Sequence, residues 1–126
     1  MAKQYEGIDI PLKAYDDMSD YAYYFVAMNG NDIADVCSGA TDVVVGVLQH
    51  GGTTGQGCSV RIAGHTKITL GETVTAGQLV GTSTTGTADT VVAGTDTTVY
   101  VAGICTVGGS SGEIGEMILL PRGRAQ

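Results

Sequence analysis

Gly51-Gly52-Thr53-Thr54-Gly55-Gln56 and Gly108-Gly109-Ser110-Ser111-Gly112-Glu113 are two copies of one phrase, each set between short apolar runs. Gly46-Val47-Leu48 leads into the first copy as Gly103-Ile104-Cys105 leads into the second. Downstream, Val60 and Ile62 fall where Met117 and Leu119 fall. Apolar and polar residues alternate after each loop, which is the period of a half-buried strand whose side chains point to opposite faces in turn. Both copies read as strand, glycine-rich turn, strand, the signature of a structural pseudo-repeat. The two hairpins, rooted in Gly46 to Gln49 and Gly103 to Thr106, are expected to send their tips to the same side of the molecule.

The remaining composition fits that reading. At 126 residues the chain is sized for one domain. It holds 20 Gly, one Phe and no Trp, with abundant Thr and Val, so turn and strand formers dominate and an all-β fold follows. Thirteen acidic against six basic residues give a net charge of -7, the wrong sign for a protein that neutralises phosphates, so nucleic acid is not an expected partner. No stretch approaches the roughly 20 apolar residues of a spanning helix, and the N-terminus lacks the apolar core of a signal peptide. Synthesis in a cytoplasm and no membrane partner are the expectations. Cys37, Cys58 and Cys105 are odd in number and widely spaced, which suits small buried hydrophobes better than a disulfide framework.

Along the chain, residues 1–20 stand apart through Asp9, Asp16, Asp17, Asp20 and Pro11, and read as an extended N-terminal arm before a single domain over 21–126. Such an arm is mobile or ordered by lying on a neighbour, with Tyr5, Ile8, Ile10, Leu12 and Tyr15 as anchors. The run Tyr21 to Met28, closed by Asn29-Gly30, reads as the first strand of the domain, with Ile33 to Val36 as its return. Val43 to Gln49 is apolar enough to be buried on both faces. Cys58 to Ala63 and Lys67 to Leu70 read as separate strands divided by a turn at Gly64-His65, and Thr82 to Asp89 as a polar, flexible tip. Short strands at roughly ten-residue spacing point to a small β-barrel or tulip-like domain.

Several strings imitate chemistry. Gly108-Gly109-Ser110-Ser111-Gly112 has the G-x-S-x-G form, but a nucleophile elbow needs a following helix and a later histidine, and none lies beyond His65. Asp16-Asp17-Met18-Ser19-Asp20 could hold magnesium only on a helix. Gly52 to Gly57 lacks the lysine of a phosphate loop, since Cys58 follows the last glycine. His50, Cys58 and His65 are competent zinc ligands at a spacing that fits no compact site. Gly71 to Gly81 resembles the phrase of biotinyl and lipoyl carrier domains, yet the nearest lysine, Lys67, sits within a strand. Neither catalysis, metal nor cofactor is expected.

Taken in order, Gly46-Val47-Leu48-Gln49, the glycine-rich turn, Ser59 to Gly64, Lys67-Ile68, Glu72 to Ala76, Gly77-Gln78-Leu79-Val80 and Ala102-Gly103-Ile104 resemble the capsid cement or decoration proteins of tailed bacteriophages. The resemblance implies a small all-β domain on the outside of a phage head, commonly a homotrimer clamping neighbouring major capsid subunits, made in the bacterial host cytoplasm. Another virion β-module, such as a head fibre base or a tail-associated protein, is the alternative, with a lipoyl- or biotinyl-like carrier or binding domain as a third reading. The arm anchors together with Thr53, Thr54, Ser110 and Ser111 are the candidate contacts. The net charge would keep free subunits apart and steer them to a basic capsid site.

Overall fold

The computed structural model describes residues 6–92, 94–96 and 99–120. Among them the strands are Gly7–Ala14 (β1), Phe25–Met28 (β2), Ile33–Val36 (β3), Gly46–His50 (β4), Gly57–Thr69 (β5), Leu79–Thr82 (β6), Ala88–Thr90 (β7), Gly103–Val107 (β8) and Ile114–Leu119 (β9). The fold is an all-β small barrel. Neighbouring strands run β1-β3-β2-β4-β5-β9-β8-β6-β7, and a further β1–β5 pairing closes the first five into a ring.

The duplicated phrase is part of a larger duplication. In the first hairpin Val47 faces Arg61 and Leu48 faces Val60, with a bulge before His50 meets Ser59. In the second, Ile104 faces Ile118 and Cys105 faces Met117, with the same bulge before Val107 meets Glu116. The correspondence continues outward: Phe25↔Val47 and Val26↔Gly46 become Leu79↔Ile104 and Val80↔Gly103. Val26↔Val36 and Met28↔Ala34 become Val80↔Thr90 and Thr82↔Ala88. The parallel pair Ala14↔Ala34 becomes the bridge Leu70↔Ala88. Thus β1, β3, β2, β4 and the first half of β5 form one barrel, and the second half of β5, β7, β6, β8 and β9 repeat it. β5 is the last strand of the first barrel and the opening strand of the second.

The interiors match position by position, because inward residues alternate along each strand. Leu12, Ala14, Met18, Val26, Ala34, Leu48, Cys58 and Val60 fill the first barrel. Ile68, Leu70, Val74, Val80, Ala88, Cys105 and Met117 occupy the corresponding places in the second. Each fully buried aliphatic side chain contributes about 1.5–3 kcal/mol relative to exposure. Gly46 and Gly103 share a cause: a Cβ at either would collide with the carbonyl oxygen of the facing strand, that of Arg61 or Ile118.

Several features depart from the sequence reading: the strand expected from Tyr21 begins only at Phe25, and Val43, expected buried, is exposed ahead of β4. Residues 7–14 do not form an arm laid on a neighbour; they pair with β5 of their own chain from Gly7↔Gly64 to Lys13↔Gly57. Pro11 is accommodated because β3 joins β1 only at Lys13 and Ala14, leaving an open edge where the missing N–H has no ladder partner. β5 does not turn at Gly64-His65; Gly64, at φ +100, bends it while pairing passes from β1 to β9. Finally, the polar stretch 82–89 is no free tip, since Thr82, Ser83 and Thr87 are buried.

Candidate functional site

The junction between the barrels explains that burial. Outward residues of the first barrel, Phe25, Cys37, Val44 and Val47, pack against the end of the second barrel lined by Ala102 and Leu119. The Phe25 amide donates to the Gly86 carbonyl at 2.8 Å, and the Thr69 amide to the Tyr23 carbonyl at 2.8 Å. The Gln49 amide group donates to the Thr66 hydroxyl at 2.7 Å. Ser83, Thr85 and Thr87 satisfy one another beneath the contact, with Ser83 and Thr87 hydroxyls 2.7 Å apart.

The candidate contact residues scatter over this frame. Tyr5 lies outside the described residues. Leu12 is buried inside the first barrel and is unavailable to a partner, because the alternation of β1 turns it inward with Ala14. Ile10 is half-buried, whereas Ile8 and Tyr15 are 60% and 50% exposed. Thr53, Thr54, Ser110 and Ser111 are all exposed on hairpin tips. Those tips point to opposite ends, not to the same side: the first joins β5 at Gly57, and the second begins β9 at Ile114, which faces Thr69 at the other end of β5. The unbroken course of β5 through Gly64 causes the difference.

Both tips are built alike and held by hydrogen bonds. The side chain of Gln56 accepts from the Thr53 amide at 3.1 Å, and that of Glu113 from the Ser110 amide at 2.6 Å. Gly55 donates to the Ala14 carbonyl and Gly112 to the Leu70 carbonyl. Ser111 is engaged by the Gly71 carbonyl at 3.1 Å. His65 lies on β5, with Nε2 3.2 Å from Glu116.

The remaining reactive side chains are turned inward or dispersed. Cys58 sits inside the first barrel and donates to the Leu12 carbonyl, while His50 is exposed at the end of β4. Among the described residues no three metal-ligating side chains converge. Burial pushes the Cys37 thiol up to about 12, against a lowering hydrogen bond from Thr82 and with Asp42 and Asp35 adding to the rise. Burial likewise raises Cys58 and Cys105. Asp17 accepts from the Ser19 hydroxyl and amide, which holds its carboxyl below the usual range within a turn. Lys67 projects over the Tyr23 ring, 5.6 Å from its centroid, and is not on a hairpin tip.

Two apolar surfaces escape a reading based on glycine phrases. One is an open groove of about 730 Å³ on the first barrel, lined by Ile10, Met28, Val43, Val45 and Ile62, with Asp35 and Asp42 at its border. The other is a row across β6, β8 and β9, where Leu79 faces Ile104 and Ile104 faces Ile118. The available sequence signal was an apolar residue on the outward phase of a strand, as Ile118 is between Met117 and Leu119. Among the described residues no helix is long and apolar enough to cross a membrane.

No family model matches the chain, and no curated protein matches it. Among solved structures it is similar to the head fiber gp8.5 N base of bacteriophage phi29, with a TM-score of 0.66 and 17% sequence identity, over 92% of this chain and 96% of that one. At that identity the likeness establishes a shared fold along nearly the full length of both chains.

Proposed function

We propose that this chain is a structural module of a bacteriophage virion, seated on the outside of the head in the manner of a fibre base. The observation that carries the reading is the extent of the likeness to the phi29 head fiber base, which spans both chains almost end to end. The two hydrogen-bonded tips at opposite ends of β5 support it, since a mount needs one end for the shell and one for what it carries. A mount fits this layout better than a cement that only clamps. In this reading the protein docks on the major capsid protein as a homotrimer, is made in the host cytoplasm, and works without catalysis or cofactor.

Removing the reading frame from the phage that encodes it, and reconstructing the particles, tests the proposal. The expected result is a complete shell lacking an exterior projection that the purified chain restores. Restoration should weaken as salt is raised if the net charge of -7 steers docking. Particles with an unchanged exterior would refute the reading.

A further inference from the structure

The duplication makes the junction between barrels a template that the chain uses once and leaves with one unused plug and one unused socket, the latter's Val45 and Ile62 bordering Ala102 and Leu119 of the used one. The junction joins unlike faces. The first barrel supplies a plug, Phe25 and Val47 on the outer phase of β2 and β4; the second supplies a socket whose rim includes Thr82, Ala102 and Leu119. Transposed through the strand registers, the plug becomes Leu79 and Ile104 on β6 and β8. The socket becomes Met28, Val45 and Ile62 on the first barrel.

Both transposed faces exist as apolar surface. Phe25 and Val47 are fully buried, whereas their counterparts are covered only in part: Leu79 packs along one side on the buried Val91 and Val101 and is half-buried, Ile104 is half-buried, and Ile118 beside it is 42% exposed. The transposed socket is the open groove, where Met28 is 47% exposed and Ile62 is at the surface. Where the second barrel has its socket filled by Phe25, the first has an empty volume of the same origin. Arg61, tied to Asp9 at 2.7 Å, occupies the position that Ile118 holds in the second barrel, so the unfilled plug is the more apolar of the two.

We infer that the groove at Met28, Val45 and Ile62 receives the Leu79–Ile104–Ile118 row of a second copy of this chain, in a head-to-tail contact that repeats the junction between the two barrels. Such a heterologous contact joins plug to socket and leaves one of each free, so it propagates until the rotation closes a ring. It supplies the contact through which copies in the proposed trimer would meet. It rests on the internal duplication and not on the virion reading: a chain that decorates heads without self-association sinks this inference alone.

The full chain, Ile62→Asp and Ile118→Asp are compared by sedimentation velocity at about 200 µM, a concentration that reveals contacts worth about 5 kcal/mol. The unmodified chain should form a closed oligomer, and each variant should lose it while keeping the circular dichroism and cooperative melt of the parent. An equimolar mixture of the two variants should give a dimer that grows no further, because one intact plug meets one intact socket and the other pair is blocked. If Ile118→Asp loses the cooperative melt, Ile104→Ser takes its place in the mixture. A monomeric parent, an oligomer untouched by Ile62→Asp, or a mixture that stays monomeric would overturn the inference.

Discussion

The amide of Phe25 donates to the carbonyl of Gly86 at 2.8 Å, and with that bond the outer surface of one barrel becomes the stopper of the next. Val36 Cγ1 and the Tyr24 ring edge lie against the same glycine, so the stopper is seated by backbone and side chains together. A residue that faces outward in its own barrel is thereby fully buried in the molecule.

Phe25→Ala should therefore cost about 3–5 kcal/mol, the range for a fully buried aromatic. Leu79→Ala, its counterpart in the second repeat, removes only a half-buried side chain resting on Val91 and Val101 and should cost less than Phe25→Ala in dilute solution, where no second copy covers its outer side. Guanidinium melts at low protein concentration compare the two, and equal losses would contradict the assignment of plug and free face.

Deletion of residues 2–15 should abolish the cooperative transition, not merely weaken binding to a partner. It removes β1, which closes the first ring against β5, together with the buried side chains of Leu12 and Ala14. A truncated chain that still melts cooperatively would show that the ring can close without β1.

Gly46→Ala and Gly103→Ala should destabilise by similar amounts, about 1–3 kcal/mol each, since both force a methyl group into a facing carbonyl. Two unequal values, one near zero, would mean that the repeats do not share this close strand approach.

Alkali should expose the buried thiol. The Cys37 thiol is raised from 9.0 to about 12, so the unfolded chain ionises first and stability falls as pH rises above about 9, by up to roughly 1.4 kcal/mol per unit. Cys37→Val, which installs the residue found at the corresponding Val91, should flatten that part of the profile. Parallel profiles for parent and variant between pH 9 and 11 would assign the alkaline loss to other groups.

The all-β class and the two hairpins were legible because close backbone approach demands glycine at Gly46 and Gly51 and a left-handed backbone favours it at Gly55, and these with Gly52 recur as Gly103, Gly108, Gly112 and Gly109. The rest of the duplication asks only for small or apolar side chains, which leaves no shared letters. Tyr23 and Gly77 illustrate it: both take a left-handed backbone, at φ 67 and 93, and both donate to the corresponding strand, at Leu48 and Cys105, yet nothing in the residue types aligns them. In β1 the alternation Ile8, Ile10, Leu12, Ala14 is a strand signal, and Pro11 with its acidic neighbours hides it. Gly64 misleads in the other direction, because one left-handed residue can bend a strand as well as end it. The groove was not legible, since its Met28 and Ile62 differ from core residues only in what fails to cover them.

The 13 residues of β5 have a length of about 43 Å along the chain at the usual strand rise, from the root of one hairpin tip through the bend at Gly64 to the edge of the other. A pull between the two ends of the molecule would run along this single covalent strand. Its hydrogen bonds to β1, β4 and β9 lie across that direction, so they would be loaded together in shear instead of opening one after another. Drag on anything mounted at one tip would thus reach the other without passing through a loop or a domain linker.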